Sequence, residues 1–324
     1  MDLYTGGGVD KKLYLQTMRE NYTHYLAEIE EVLADNDEIN RIIIAKDGCI
    51  LERKNGTKIY FDFTQSICRA EVELLMAGDP ESAEMLLVGE FLSQSESHTV
   101  FDIGANVGLY SLDLYQTHKE LEYYLFEPVP DTYAWLKKTE KLNHVDCGHY
   151  KSYNMGMSDT EGEIRFFVPA SNEAASMVPN EDAFYKKRSN KAGRYTGETD
   201  IQEVMCSVTT VDSFIEKNKI AQLDFMKIDV EGNEKAVLKG AENTLLNYKP
   251  FVYTELLRKH AKRFGYHPND VISYMQTFGY DCAAMQDGKL KRILAIDDET
   301  VQTNFFFLHK QKHGGFIERW IMSS

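Results

Sequence analysis

The stretch that decides the fold is Val100-Phe101-Asp102-Ile103-Gly104-Ala105-Asn106-Val107-Gly108-Leu109-Tyr110-Ser111. An apolar run passes through small residues into a helical pattern, which reads as a buried strand, a tight turn and a helix. Glycines in such a turn let a ligand approach the backbone, and the helix N-terminus behind it offers free N–H groups.

Outward from this unit the same texture repeats. Short apolar runs at Tyr123–Phe126, Tyr150–Met155, Leu223–Ile228 and Phe251–Thr254 alternate with amphipathic stretches at about 107–118, 130–142, 210–218 and 233–247. Alternation of this kind predicts an α/β fold of the doubly wound, Rossmann-like class, with a mainly parallel sheet covered by helices on both faces. In such sheets ligands bind at the carboxyl ends of the strands, beside the point where strand order reverses. An extra strand is expected over Glu163–Val168, and the polar stretch 171–200, which lacks a clear period, is expected to be a lid-like insertion.

Before this unit, Leu15, Met18, Tyr22, Tyr25, Ile29 and Val32 form a helical stripe. It either docks on the protein's own core or forms a homodimer helix. The runs Arg41–Ala45, Cys49–Arg53 and Thr57–Phe63, separated by Asp47-Gly48 and Asn55-Gly56, read as a three-stranded meander with tight turns. Residues from about 68 to 95 read as helical with a break near Gly78-Asp79-Pro80. The expected organisation is thus an extension over 1–98, a main domain over 99–310 and a C-terminal tail over 311–324.

Composition narrows the partners. The 324 residues are 43% apolar and 27% charged, with 36 Lys and Arg against 51 Asp and Glu, a net charge of −15. So acidic a chain repels phosphate backbones, which argues against nucleic acid. The five cysteines are scattered singly with no C-x-x-C pair, and neither a signal peptide nor an 18-residue apolar span is visible. A cytoplasmic protein with free thiols is expected. No Cys/His cluster suggests zinc.

Two further patterns carry chemistry. Tyr123-Tyr124-Leu125-Phe126-Glu127-Pro128 ends a strand on an acid, the position from which a carboxylate accepts the hydroxyl protons of a ribose. The run Gly104 to Gly108 lacks the G-x-G-x-x-G spacing that seats a pyrophosphate and carries Asp102 ahead of it, which disfavours NAD and favours S-adenosylmethionine. Met226-Lys227-Ile228-Asp229-Val230-Glu231-Gly232 places three charges at the end of a buried strand, and Glu255 closes the next strand on the same edge. Buried charges are costly unless they pair or work, so Lys227 and Asp229 are either a structural ion pair or part of a reaction centre.

On these pieces the sequence resembles the FkbM family of S-adenosylmethionine-dependent methyltransferases. The resemblance runs from the Gly-rich turn through Phe126-Glu127-Pro128, Thr209–Phe214, the stretch from Asp224 to Ala241, Glu255, Phe278-Gly279-Tyr280 and Asn304–Phe307, covering about 99–308. It implies a methyl transfer to oxygen, with a sugar-derived or natural-product hydroxyl as the best-fitting acceptor. Asp102, Gly104, Ala105, Asn106 and Gly108 would hold the methionine end of the cofactor and Glu127 its ribose. Asp159 would meet the adenine amine, unless it is an ordinary turn acid before Gly162.

Removing a proton from an alcohol needs a base. Asp229 is the first candidate and Glu255 the second, with Lys227 stabilising developing charge or orienting a carboxylate. Glu231 is placed on the acceptor side. Alternatively Asp229, Glu231 and Glu255 would bind a hard cation such as Mg²⁺. The run from Lys186 to Arg194 holds five basic residues and no acid. It is either a solvated loop or an attractor for an anionic acceptor, with Arg188 and Arg194 as anchors. His260 and His267 accompany the basic residues Arg258, Lys259, Lys262 and Arg263, which read as a solvated surface helix, with a substrate-rim role for either histidine as the alternative. The rival from another class is a catalytically silent nucleoside-binding protein with a regulatory or assembly role.

Overall fold

The computed structural model describes residues 39–45, 48–61, 82–94, 99–145, 148–168, 175–179 and 201–321, together with positions 16, 30, 33 and 34. The rest of the Leu15–Val32 stripe with its dimer alternative, the helical expectation over 68–81 and the basic run 186–194 lie outside the described residues.

In chain order the first half comprises β1 (Ile39–Ala45), β2 (Gly48–Arg53), β3 (Lys58–Phe61), α1 (Ser82–Ser93), β4 (Thr99–Ile103), α2 (Leu109–Thr117), β5 (Glu122–Phe126), α3 (Pro130–Asn143), β6 (Tyr150–Tyr153), β7 (Gly156–Met157) and β8 (Gly162–Val168). The second half comprises β9 (Gln202–Thr209), α4 (Val211–Asn218), β10 (Phe225–Ile228), α5 (Glu234–Lys239), α6 (Glu242–Asn247), β11 (Phe251–Glu255), α7 (Arg258–Arg263), α8 (Pro268–Thr277), β12 (Tyr280–Gln286), β13 (Lys289–Arg292), β14 (Asn304–His309) and α9 (Gly314–Trp320).

Eight strands form the central sheet in the order β13-β12-β14-β11-β10-β4-β5-β6. The five strands from β11 to β6 pair in parallel, whereas β14 runs antiparallel to both β11 and β12. Strand order reverses between β4 and β10, so the crevice expected at a doubly wound switch point opens there.

The parallel strands are apolar on both faces because helices cover both. Phe101, Phe126, Met226, Val252 and Phe307 point into one core with α4, α5, α6 and α8. Val100, Leu125, Phe225, Phe251 and Phe306 point into the other with α1, α2, α3 and α9. Aromatic pairs such as Phe91 with Phe251, centroids 4.7 Å apart, and Tyr253 with Phe306 at 4.9 Å add geometric preference to this burial.

Several details differ from the sequence expectation. The single helix expected over 233–247 is two, α5 and α6, and at their junction a Cβ on Gly240 would lie 2.1 Å from the Ser158 carbonyl oxygen. The run from Tyr150 ends as a central strand at Tyr153, and Gly156–Met157 instead joins a separate sheet in the order β7-β9-β8. The extra strand pairs antiparallel with β9, a strand outside the sequence expectation. Residues 311–324, read as a tail, include α9, whose Phe316 and Ile317 are buried in the second core.

Candidate functional site

Register brings the charged residues together. Pairing of β10 with its neighbours puts Lys227 opposite Asp102 on β4 and Tyr253 on β11, one row across the α2 face of the sheet. Asp102 is 1% exposed and Lys227 7%. The Lys227 ammonium lies 3.2 Å from Asp229 Oδ2, 3.9 Å from Asp102 Oδ1 and 5.4 Å from the centre of the Tyr110 ring. A lysine so buried needs such company, since an unpaired ammonium in the interior costs several kcal/mol. The pairing alternative for Lys227 is thus what the resting geometry presents, and it fixes the Asp229 carboxylate at the mouth of the crevice.

The Gly-rich turn follows from the end of β4. Gly104 and Ala105 both donate to the Phe126 carbonyl at 3.0 Å, and Gly108 donates to Ala105 at 2.8 Å. Gly104, Asn106 and Gly108 all have left-handed backbone angles, with φ of 83°, 51° and 84°. The glycines serve the protein's own packing. A Cβ on Gly104 would sit 1.8 Å from the Asp229 carbonyl oxygen, and one on Gly108 would sit 2.5 Å from Leu136 Cδ1. The close approach inferred from sequence is therefore made first by other parts of the chain, and it locks the turn against β10.

Glu127 closes β5 with 6% exposure. Its two oxygens accept backbone N–H groups, Asn106 at 3.1 Å and Val129 at 2.9 Å. Burial pushes this carboxyl up to about 7, opposed by those two donors. Each oxygen keeps capacity for another donor, which suits the paired hydroxyls of a ribose. Asp102 is tied by Ser111, whose hydroxyl donates to Oδ2 at 2.6 Å, while buried Oδ1 has no hydrogen-bond partner. Burial raises this carboxyl too. A buried oxygen without a hydrogen bond beside a left-handed turn, with a second buried carboxyl across it, fits a nucleoside-type ligand carrying its own donors.

The second turn, Val230-Glu231-Gly232, is tied by side chains. Glu231 adopts φ 56° and Gly232 φ 113°, where a Cβ would meet the Phe264 ring at 2.7 Å. The buried Glu234 carboxylate accepts from Gly232 N at 2.9 Å, and the single hydroxyl proton of Tyr266 is shared between Glu234 and the Gly232 carbonyl, each 2.9 Å from the phenol oxygen. Arg263 Nη2 at 3.3 Å and the Ser176 hydroxyl at 3.4 Å reach the Glu231 carbonyl. The Glu231 carboxyl faces His260, with Oε2 3.1 Å from Nδ1 but outside hydrogen-bond geometry. Burial pushes Glu231 up to about 8 and His260 down to about 4, which favours an uncharged pair. Glu255 is likewise pushed up to about 8, by burial and then by Asp229 and Glu231.

Asp102, Ala105, Asn106, Glu127, Lys227, Asp229, Glu231 and Glu255 thus lie at or next to the carboxyl ends of four adjacent strands. Asp159 is exposed after β7, with Ser158 donating to it at 3.4 Å. Arg188 and Arg194 lie outside the described residues. Among the described residues no group of three or more His, Cys, Asp or Glu is arranged to hold a metal ion. No described helix is long and apolar enough to cross a membrane. Sequence reading missed the supports of the second turn, Glu234, Tyr266, Arg263 and Ser176. Glu234 left a signal, an acid three residues after Glu231 at a helix start, whereas Tyr266 and Ser176 left none.

The methyltransferase FkbM domain matches residues 102–282 of this chain. A methyltransferase named sdnD from Sordaria araneosa is 27% identical over 156 residues, covering 44% of this chain and 60% of that protein. The 31-O-demethyl-FK506 methyltransferase FkbM of Streptomyces tacrolimicus is 30% identical over 159 residues, covering 44% of this chain and 59% of that protein. The hexuronic acid methyltransferase AglP of Haloferax volcanii is 27% identical over 180 residues, covering 56% of this chain and 62% of that protein. The chain therefore spans about 60% of the length of these relatives.

Proposed function

The chain belongs to the FkbM methyltransferase family, and from that premise we propose that it transfers a methyl group from S-adenosylmethionine to a hydroxyl oxygen of a sugar-derived or natural-product small molecule. The observation that carries this reading is the convergence, at one switch point, of a left-handed Gly-rich turn, the buried Glu127 and the acidic edge formed by Asp229, Glu231 and Glu255.

When bound, the cofactor would supply an electrophilic sulfonium methyl, whose carbon the acceptor oxygen attacks in line as the C–S bond breaks and S-adenosylhomocysteine leaves. Asp102 and the turn from Gly104 to Gly108 hold its amino-acid end. Glu127 orients the ribose, and Asp159 is assigned to the adenine amine. The protein's remaining task is to align the acceptor and take its proton. Asp229, held 3.2 Å from Lys227, is the base in this reading. Glu255 is the second candidate, because a carboxyl raised to about 8 holds an accepted proton well. Glu231 contacts the acceptor, its backbone fixed by Ser176 and Arg263. Asp229, Glu231 and Glu255 are not arranged to hold a metal ion, so no step is routed through Mg²⁺.

An anionic acceptor is favoured by the five bases between Lys186 and Arg194 on a chain of net charge −15, and the relative from Haloferax volcanii is named for a hexuronic acid. Incubating the protein with labelled S-adenosylmethionine and a panel of uronic and neutral glycosides tests the reading. Transfer of label to an oxygen, faster with the uronates, is the expected result. Label transfer to none of them, despite cofactor binding, would contradict the acceptor class.

A further inference from the structure

The meander formed by β1, β2 and β3 lies outside the residues matched by the family domain, yet it grips the Gly-rich turn. Val107, the apolar residue inside that turn, is 2% exposed, and the buried side chains clustered with it are Ile39, Cys49, Leu51 and Ile59, all from the meander. None belongs to the central sheet that the turn leaves. Leu109 and Trp135, at the start of α2 and in the middle of α3, pack on the same cluster.

Polar contacts bracket this apolar plug on both sides. Buried Arg53 on β2 pairs with Asp113 on α2, and Asn55 Nδ2 donates to the same carboxylate at 3.2 Å. On β3, Lys58 N donates to Asn143 Oδ1 at 2.8 Å, the Asn143 amide returns a bond to the Lys58 carbonyl at 2.6 Å, and Tyr60 N donates to Thr139 Oγ1 at 3.4 Å. The meander thus spans from the helix that follows the turn to the helix that follows Glu127.

The turn needs outside support. Three of its five residues are left-handed, a conformation that costs a non-glycine such as Asn106 free energy unless its surroundings hold it. Its internal hydrogen bonding is slight, with one bond from Gly108 to Ala105, while Gly104 and Ala105 donate outward to Phe126 and Asn106 to Glu127, all at the end of β5.

We propose that the meander is a positioning element of the cofactor site, with Leu51 and Ile59 clamping Val107 so that the turn from Gly104 to Gly108 keeps its ligand-binding shape before ligand arrives. This rests on the assignment of that turn to the cofactor. A conformation already populated needs no ordering on binding, so loosening the clamp lowers apparent affinity by the fraction of competent turn that is lost.

The test uses the full chain, S-adenosylhomocysteine as probe, and two readouts, calorimetric affinity and hydrogen exchange of the amides at 105–109. Leu51→Ala is expected to weaken binding about tenfold and speed exchange of those amides by a similar factor. Ile59→Val, which removes one methyl and leaves the fold intact if Leu51→Ala does not, is expected to shift both about two- to threefold. Leu308→Ala, a comparable cavity in β14 away from the turn, is the control. It should lower the melting temperature while leaving affinity and turn exchange at wild-type values. Meander variants that lose melting temperature but keep wild-type affinity and exchange would overturn the proposal. Failure of the wild-type chain to bind the probe would contradict the cofactor assignment instead, and the exchange comparison would still decide whether the clamp exists.

Discussion

The two turns at the switch point, Gly104–Gly108 and Val230–Gly232, solve one problem in opposite ways. Each holds a non-glycine residue in the left-handed region, Asn106 at φ 51° and Glu231 at φ 56°, beside a glycine that a Cβ would jam. The first is braced by packing and backbone, through Val107 in the meander cluster, Leu136 over Gly108 and a single carboxylate, Glu127. The second is braced by charged and hydroxyl side chains, Glu234, Tyr266, Arg263 and Ser176. The difference fits two tasks. A packed turn with few charges suits recognition of a ligand that brings its own donors, whereas a turn amid carboxyls pushed up to about 8 suits taking and holding protons.

The sharpest way to break this division is to remove chemistry from one turn without touching the other. Asp229→Asn is expected to cut turnover by about 10²–10⁴, the usual cost of losing a general base, while S-adenosylhomocysteine affinity stays within a few fold. Steady-state kinetics with an active acceptor, beside calorimetry, checks both halves. Activity close to wild type would move the base to Glu255.

The contact between the turns is tested next. Gly104→Ala forces a Cβ to within 1.8 Å of the Asp229 carbonyl oxygen at φ 83°. Overpacking together with the disfavoured backbone predicts a loss of about 3 kcal/mol or more. Calorimetric unfolding should show the melting temperature falling by at least 6 °C or so. A drop of less than about 2 °C would mean that β4 and β10 do not meet this tightly.

Glu127→Ala removes a buried acceptor from the first turn. Cofactor binding is expected to weaken by about 2–3 kcal/mol with the fold retained, because charge-assisted bonds to a ribose are lost. Unchanged affinity would leave Glu127 as a brace for Asn106 and Val129 alone.

The smallest effect distinguishes the turns by pH. Burial raises Glu127 to about 7 and Glu231 and Glu255 to about 8 from an ordinary value of 4.5. The folded chain therefore retains protons that the unfolded chain has released, and these groups lower stability as pH rises from about 4.5 to about 8. His260, pushed from 6.5 down to about 4, acts oppositely, but its contribution is complete above about 6.5. Between pH 6.5 and 8 the melting temperature is expected to fall, and Glu231→Gln should flatten that fall more than Asp159→Asn does. Equal slopes in the two variants would remove the buried-acid account of the second turn.

How much of this was legible beforehand follows from where the information lies. Buried parallel strands announce themselves as apolar runs, so β4, β5, β10 and β11 appear within a residue or two of their observed limits. Strand β9 was hidden because its outward positions, such as Glu203 and Ser207, are polar and it emerges directly from the polar stretch before it. The acids at strand ends were visible because charge after an apolar run stands out. The role of the glycines was only half visible, since a sequence shows that a Cβ is missing but not which atom occupies the space. Two supports of the second turn are invisible because Tyr266 and Ser176 come from distant segments that only the fold brings to Gly232 and Glu231.

The central claim is that the first turn and Glu127 form a site for S-adenosylmethionine. Calorimetric titration of the pure chain with S-adenosylmethionine, S-adenosylhomocysteine and NAD tests it most directly. The account predicts saturable one-to-one binding of the first two and none of NAD. Tight binding of NAD alone would contradict it.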